Sequence, residues 1–350
     1  MNASTMRSSA HFGGLLKPVP GEAFSAWLGR GLRTKSPAPF RRAADCLERW
    51  GIQDANIPFS KEALKDFSEA LGLTSESLLR TFSLPGDWLK APAEERRQFC
   101  MACLINDFCC DRQPTSRIIW FYWWFTVCPV HGLLLYEEDS TSAPTALVSF
   151  LRNLSFAGWR LSGRIERRSN LGRDMFKRLL LMASAFQEWY LASVQRRTFI
   201  IGDVDLAASA AEVELVMADI LAIIGKKRCY PVDQRSYIAQ LLGIKSWCSL
   251  RSDLSPEAGC EPFLCLDIRE HNADIRMAMF ALLGLFLKLP QCAHIWHLGQ
   301  RESNDWQIEH LWRGMLCDAV RVPSYLAWFQ QRSECWCAPL RAHFHYLLDR

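Results

Sequence analysis

Phe99-Cys100-Met101-Ala102-Cys103-Leu104, and after a further interval Thr126-Val127-Cys128-Pro129-Val130-His131-Gly132, are the stretches that decide how the middle of this 350-residue chain folds. Two ligands held two residues apart offer two donors to one ion, and twenty-four residues separate Cys103 from Cys128. A second pair brought alongside by that loop completes a tetrahedral shell of three cysteines and one histidine, a preferred geometry for structural zinc. All four positions are filled, so no site is left for an activated water. Cys100, Cys103, Cys128 and His131 are therefore expected to hold one structural Zn2+ that braces the fold. Cys109 and Cys110 are nearby thiols that could replace Cys103.

The surroundings of these ligands carry a resemblance. Asp107 follows the first pair, and an aromatic run through Trp123-Trp124 leads to the second. Near the N-terminus stands Pro18-Val-Pro20-Gly21-Glu22-Ala-Phe24-Ser25-Ala-Trp27-Leu28-Gly-Arg30. Together, and in this order, the segments resemble the TniQ/TnsD family of target-selection proteins from bacterial Tn-type transposons, over about residues 15 to 136. Relatives often carry a further cysteine pair after the His-Gly, whereas Leu133 to Thr145 contains none, so one zinc is expected. The resemblance implies a non-enzymatic adaptor that recognises a target, in DNA directly or through a CRISPR RNA-guided effector complex. It would recruit the transposon's AAA+ ATPase and, through it, the transposase; a homodimer is left open. In that scheme the Gly21 to Arg30 segment and the zinc region form the module for protein partners.

Composition bounds these readings. A hydrophobic share of 49% with mean hydropathy near zero describes a soluble globular chain of two or three domains. Fourteen cysteines without a secretory pattern point to a reducing, cytoplasmic compartment, bacterial by the resemblance. The longest uncharged apolar run, Met277 to Leu287, is too short to cross a bilayer, so no membrane association is expected. A net charge of +4 leaves any nucleic-acid affinity to local patches.

Hydrophobic periodicity gives a mainly α fold: helix-turn-helix modules, a small Cys3His knuckle and a helical C-terminal domain. The expected divisions are an N-terminal region over 1–98, a zinc module over 99–136, a basic linker and helix over 137–204, and a C-terminal domain over 205–350. Helices are expected over Glu22 to Leu32, Phe40 to Trp50, Ser60 (as cap) to Leu71, Thr74 or Ser75 to Phe82, and Phe176 to Arg197. Ser68 followed at Gly72-Leu73 has the form of a helix-turn-helix corner, although its second helix carries one basic residue, Arg80.

A second such corner, Tyr237 to Ser246, has Ala239 four residues before Gly243. It would present Lys245, Ser246, Trp247, Ser249 and Arg251 to DNA or a partner, with Lys226, Lys227, Arg228 and Arg235 available to phosphates. Arg152 to Arg178 has a local balance of +6, and Arg164, Arg167 and Arg168 in it could follow a phosphate backbone or serve as a solvated linker. Trp296, Trp306, Trp312 and Trp328 read as core or interface anchors. His294, His297 and His310, and Cys335, Cys337, His343 and His345, lack paired metal spacing. With no phosphate-binding loop and no nucleophile beside a base, the chain is not expected to be an enzyme. A zinc-containing helix-turn-helix transcriptional regulator is the rival reading.

Overall fold

The structure is a computed structural model that describes residues 12–56, 59–83, 85–110, 112–137, 170–201, 204–206, 208–225, 268, 271–298, 311–313, 315 and 325–348. The second helix-turn-helix motif, with Lys226 to Arg251, and the segment holding Arg164, Arg167 and Arg168 lie outside the described residues. The described chain is mainly helical, as expected, and divides into two compact units: Met1–Tyr122 with Glu138–Leu151, and Trp123–Glu137 with Arg152–Arg350.

In the first unit, α1 (Phe24–Gly31) buries Phe24, Trp27, Leu28 and Gly31, an i, i+3, i+4, i+7 stripe. α2 (Ala38–Arg49) begins earlier than the expected Phe40, because proline in the first turn has its φ preset for a helix and lacks an N–H that would go unpaired there. α3 (Lys61–Leu71) and α4 (Ser75–Phe82) form the first helix-turn-helix corner. The Ser60 hydroxyl accepts from the Ala63 N–H at 3.1 Å, and Thr74, not Ser75, caps α4 by accepting from Ser77 N–H at 3.1 Å. Gly72 turns the corner at φ +65°, a left-handed conformation that glycine adopts without a Cβ penalty, and Leu73 N–H closes onto Ser68 C=O at 3.0 Å.

Ser68 is the small residue of that corner. Its hydroxyl lies 2.8 Å from the Leu64 carbonyl and 2.8 Å from the Ser75 hydroxyl, so one side chain joins both helices. The core closes around Trp27, with Phe40 edge-on at 5.0 Å and the indole N–H donating to Leu16 C=O at 2.8 Å. α5 (Met101–Cys109) follows. Gly31 is sterically fixed, since a methyl there would land on the Phe40 ring, whereas Gly29, inside the family-like motif, faces open space.

In the second unit, α6 (Asn170–Arg196) starts six residues before the expected Phe176. Gly172 alone costs a helix about 1 kcal/mol, which the remaining turns outweigh. The hairpin Phe199–Ile201/Val204–Leu206 then leads to α7 (Ala210–Gly225). α8 (Ala273–Phe286) is buried at every position except Asp274, so it is the centre of this unit. It packs most extensively on α6, with Phe280 stacked on Phe186 at 5.4 Å. A Cβ at Gly284 would meet Cys292 Sγ of α9 (Pro290–His297) at 2.7 Å and Phe186 Cβ at 3.4 Å, so glycine sets how closely these helices approach. α10 (Tyr325–Ser333) and α11 (Ala338–His343) complete the unit.

Trp296 and Trp312 are core residues and Trp328 is half-buried; Trp306 and His310 lie outside the described residues. No single helix among the described residues is long and apolar enough to cross a membrane.

Candidate metal centre

The four expected ligands come together. Cys100, Cys103 and Cys128 are buried, His131 is half-buried, and their donor atoms all lie within 4.8 Å of one another. A tetrahedral ion with bonds of about 2.0–2.3 Å needs donor–donor edges of about 3.3–3.8 Å. Cys128 Sγ already lies 3.5 Å from His131 Nδ1, so that edge is formed. The soft, compact donor set fits a metal ion. Among the described residues no other group of three or more His, Cys, Asp or Glu is placed to share one. Cys109 and Cys110 are exposed and outside the group, so Cys103 is the thiol placed to share an ion with the other three; His294 and His297 are exposed on α9.

The first pair is built by a helix end. Cys100 is the N-cap of α5 in extended conformation, and Cys103 sits in the first turn, where i and i+3 project from one side. The N-terminus of a helix carries partial positive charge, which favours thiolates placed there. Further along α5, Asp107 is buried and takes Arg117 Nη2 at 2.7 and 2.8 Å, while Arg117 Nη1 donates to Thr115 C=O at 2.9 Å. The same strand of residues reaches Glu22, whose carboxylate accepts from Thr115 Oγ1 at 2.8 Å, from Val19 N–H at 2.8 Å and from Arg30 Nε and Nη2 at 2.7 Å each. The motif residues Glu22, Phe24, Trp27 and Leu28 are thus buried structural groups, which fix α1 to the segment that follows α5.

The second pair is built by a tight hairpin. Cys128 N–H donates to Leu133 C=O and Gly132 N–H to Cys128 C=O, each at 2.8 Å, with Gly132 at φ +61°. Leu135 N–H donates to Thr126 C=O at 2.8 Å, and Val127 faces Leu134 between these bonds. Before the hairpin, the Gln187 side chain of α6 bonds to Thr126 and Val127. After it, Glu137 accepts from Ala273 N–H at 3.2 Å and from Arg276 Nη2 at 3.0 Å. Glu137 thereby supplies the N-terminus of α8 with the partner that its own Asn272 does not.

Arg276 has no exposed surface, and its guanidinium lies over the Trp123 ring at 4.7 Å. Burial pushes its pKa below the usual arginine value, against the pull of the Glu137 charge. Neither Gln187 nor Arg276 is a site residue by sequence reading. The available signal is a polar side chain on the apolar face of each helix, at Gln187 beside Phe186 and at Arg276 within a run of buried residues.

With this geometry in view, residues 15–135 match the TniQ family model, so the chain carries a TniQ domain that includes all four ligands. Comparison with curated proteins and with solved structures returns no match. The match points to a transposition-associated protein.

Proposed function

We propose that the protein is a transposition adaptor of TniQ type, without catalytic activity of its own, that recognises a target and recruits the transposon's AAA+ ATPase and, through it, the transposase. The carrying observation is the coincidence of the TniQ match over residues 15–135 with the assembled Cys3His group. The ion is Zn2+: three thiolates and an imidazole suit a borderline-soft cation, and four protein donors leave no open position for a reactive water. When bound, zinc supplies cross-linking and not chemistry; α5 holds Cys100 and Cys103, and the 126–135 hairpin holds Cys128 and His131.

The target is DNA, read by the Lys245 to Arg251 segment with Lys226, Lys227, Arg228 and Arg235 on phosphates, or an RNA-guided effector complex docked through helix faces. In either case the working compartment is the bacterial cytoplasm. In the first helix-turn-helix corner, α4 exposes Glu76, Leu79 and Arg80, a face with one cation and one anion. That face favours a protein-contacting role over phosphate binding.

Purified protein tests the reading: about one zinc per chain, no ATP hydrolysis or DNA cleavage, and co-purification with an AAA+ ATPase encoded beside it. Turnover abolished by a point change in this chain would overturn the adaptor assignment. A gel-shift titration over a salt series separates the two target modes. Specific binding lost in Lys245→Ala/Arg251→Ala marks direct readout; stable association with a guide-RNA complex and no specific DNA binding marks docking. Binding to an operator beside its own gene, with no ATPase partner, would mark the transcriptional regulator instead.

A further inference from the structure

We propose that Gln187 is a positioning residue of the metal centre, whose side-chain amide takes the place of a neighbouring strand and sets the backbone that carries Cys128 and His131. The hairpin leaves one edge of its first arm unpaired by backbone. Val127 and Leu134 face each other as a non-hydrogen-bonded pair, so the Val127 N–H and C=O point away from the hairpin. Buried backbone groups of this kind need partners. Gln187 supplies all of them. Its Oε1 accepts from Thr126 N–H at 2.7 Å and from Val127 N–H at 2.9 Å, and its Nε2 donates to Val127 C=O at 3.0 Å.

The pairing of N–H and C=O on one residue is what an adjacent strand would offer, delivered here by a single planar amide. The two N–H donors also fix which amide atom is the oxygen. Gln187 is 2% exposed, so water cannot stand in for it without rearrangement. Val127 precedes Cys128 directly, and the turn from Cys128 to Gly132 fixes His131. A change in the angle of this arm therefore moves two ligands of the shell together. Groups that orient metal ligands from one layer further out change metal affinity by about 10–100-fold when removed.

This inference rests on reading the Cys3His group as a zinc site, and its test separates the two. Zinc release to a chelator is followed in the full chain, at a temperature well below melting, for wild type, Gln187→Leu, Gln187→Glu and Ile220→Ala. Ile220 is fully buried on α7 and serves as a control for general loss of stability. Gln187→Leu leaves two N–H groups and a carbonyl without partners, and is expected to release zinc about 10–100-fold faster than wild type. Gln187→Glu keeps an acceptor for both N–H groups and sets a second oxygen against Val127 C=O, so its rate falls between the two.

Ile220→Ala should release zinc at nearly the wild-type rate despite a lower melting temperature. The visible bands of the cobalt-loaded protein should shift in the Gln187 variants and not in Ile220→Ala. If Gln187→Leu does not fold, Gln187→Glu carries the test, and a wild-type release rate and cobalt spectrum in it would sink the proposal. Equal acceleration by Gln187→Leu and Ile220→Ala would sink it too, leaving a purely structural role. A wild-type protein that binds no zinc defeats the metal-site reading itself.

Discussion

The two halves of the Cys3His group have the same spacing and different construction. Cys100 and Cys103 are presented by the N-terminus of α5, so their geometry follows from one helical turn. Cys128 and His131 are presented by a hairpin whose outer edge is held by Gln187 and whose exit is held through Glu137, which accepts from Ala273 N–H and Arg276 of α8. One helical turn sets the spacing of the first pair locally; a short hairpin is marginal by itself and takes partners from elsewhere in the chain. Equal motifs in sequence can thus depend on very different amounts of tertiary structure.

The largest test removes a ligand from either half. Cys103→Ser and His131→Ala should each abolish stoichiometric zinc and lower stability by on the order of 5 kcal/mol, measured by metal analysis and urea unfolding. Full stability in a metal-free preparation would remove the structural role. Chelation should also make Cys100, Cys103 and Cys128 reactive to thiol reagents, whereas exposed Cys109, Cys110 and Cys335 react with or without metal. Cys292, whose pKa burial pushes up to about 12, should stay inert in both states.

Next comes the support of the helical half. Arg117→Met strands buried Asp107 on α5 and should cost about 3–5 kcal/mol, most of it recovered in Arg117→Met/Asp107→Leu, because a well-packed apolar pair can replace a buried ion pair. A double variant no more stable than the single would show that the carboxylate acts beyond pairing.

Support of the hairpin half is smaller per contact. Glu137→Gln keeps an acceptor for α8 and removes the charge facing Arg276, with an expected loss of about 1.5–3 kcal/mol in urea titrations. A loss as large as that of Arg117→Met would erase the contrast between the two halves.

The smallest effect is a gain. Arg197 ends α6 at φ +58°, with Thr198 N–H donating to Ser193 C=O at 3.1 Å. Glycine is unstrained in that conformation, so Arg197→Gly should add about 1 kcal/mol. It should leave zinc release unchanged. Faster or slower release would mean that Gln187 senses the whole helix.

Several features were legible from residues alone because the forces that make them act within a turn or two. The spacing of Cys100, Cys103, Cys128 and His131 named the shell, Ser60 and Gly72 marked the ends of α3, and the apolar run at Met277 marked a buried helix. Local rules were less sharp at helix starts: α6 begins at Asn170 rather than Phe176, and α2 takes in Ala38.

What only the tertiary structure decided is which polar side chains hold the hairpin that carries Cys128 and His131. Gln187 stands 60 positions from Val127, and Arg276 stands 139 from Glu137, so no periodicity or spacing links them. Nor did the sequence reveal that Glu22 of the family-like N-terminal motif is a buried acceptor for Thr115 and Arg30. Sequence fixes the donors of an ion, because chemistry chooses cysteine and histidine. The partners of a buried carboxylate, amide or guanidinium are fixed only when folding excludes water and leaves each such group to find the nearest complementary one.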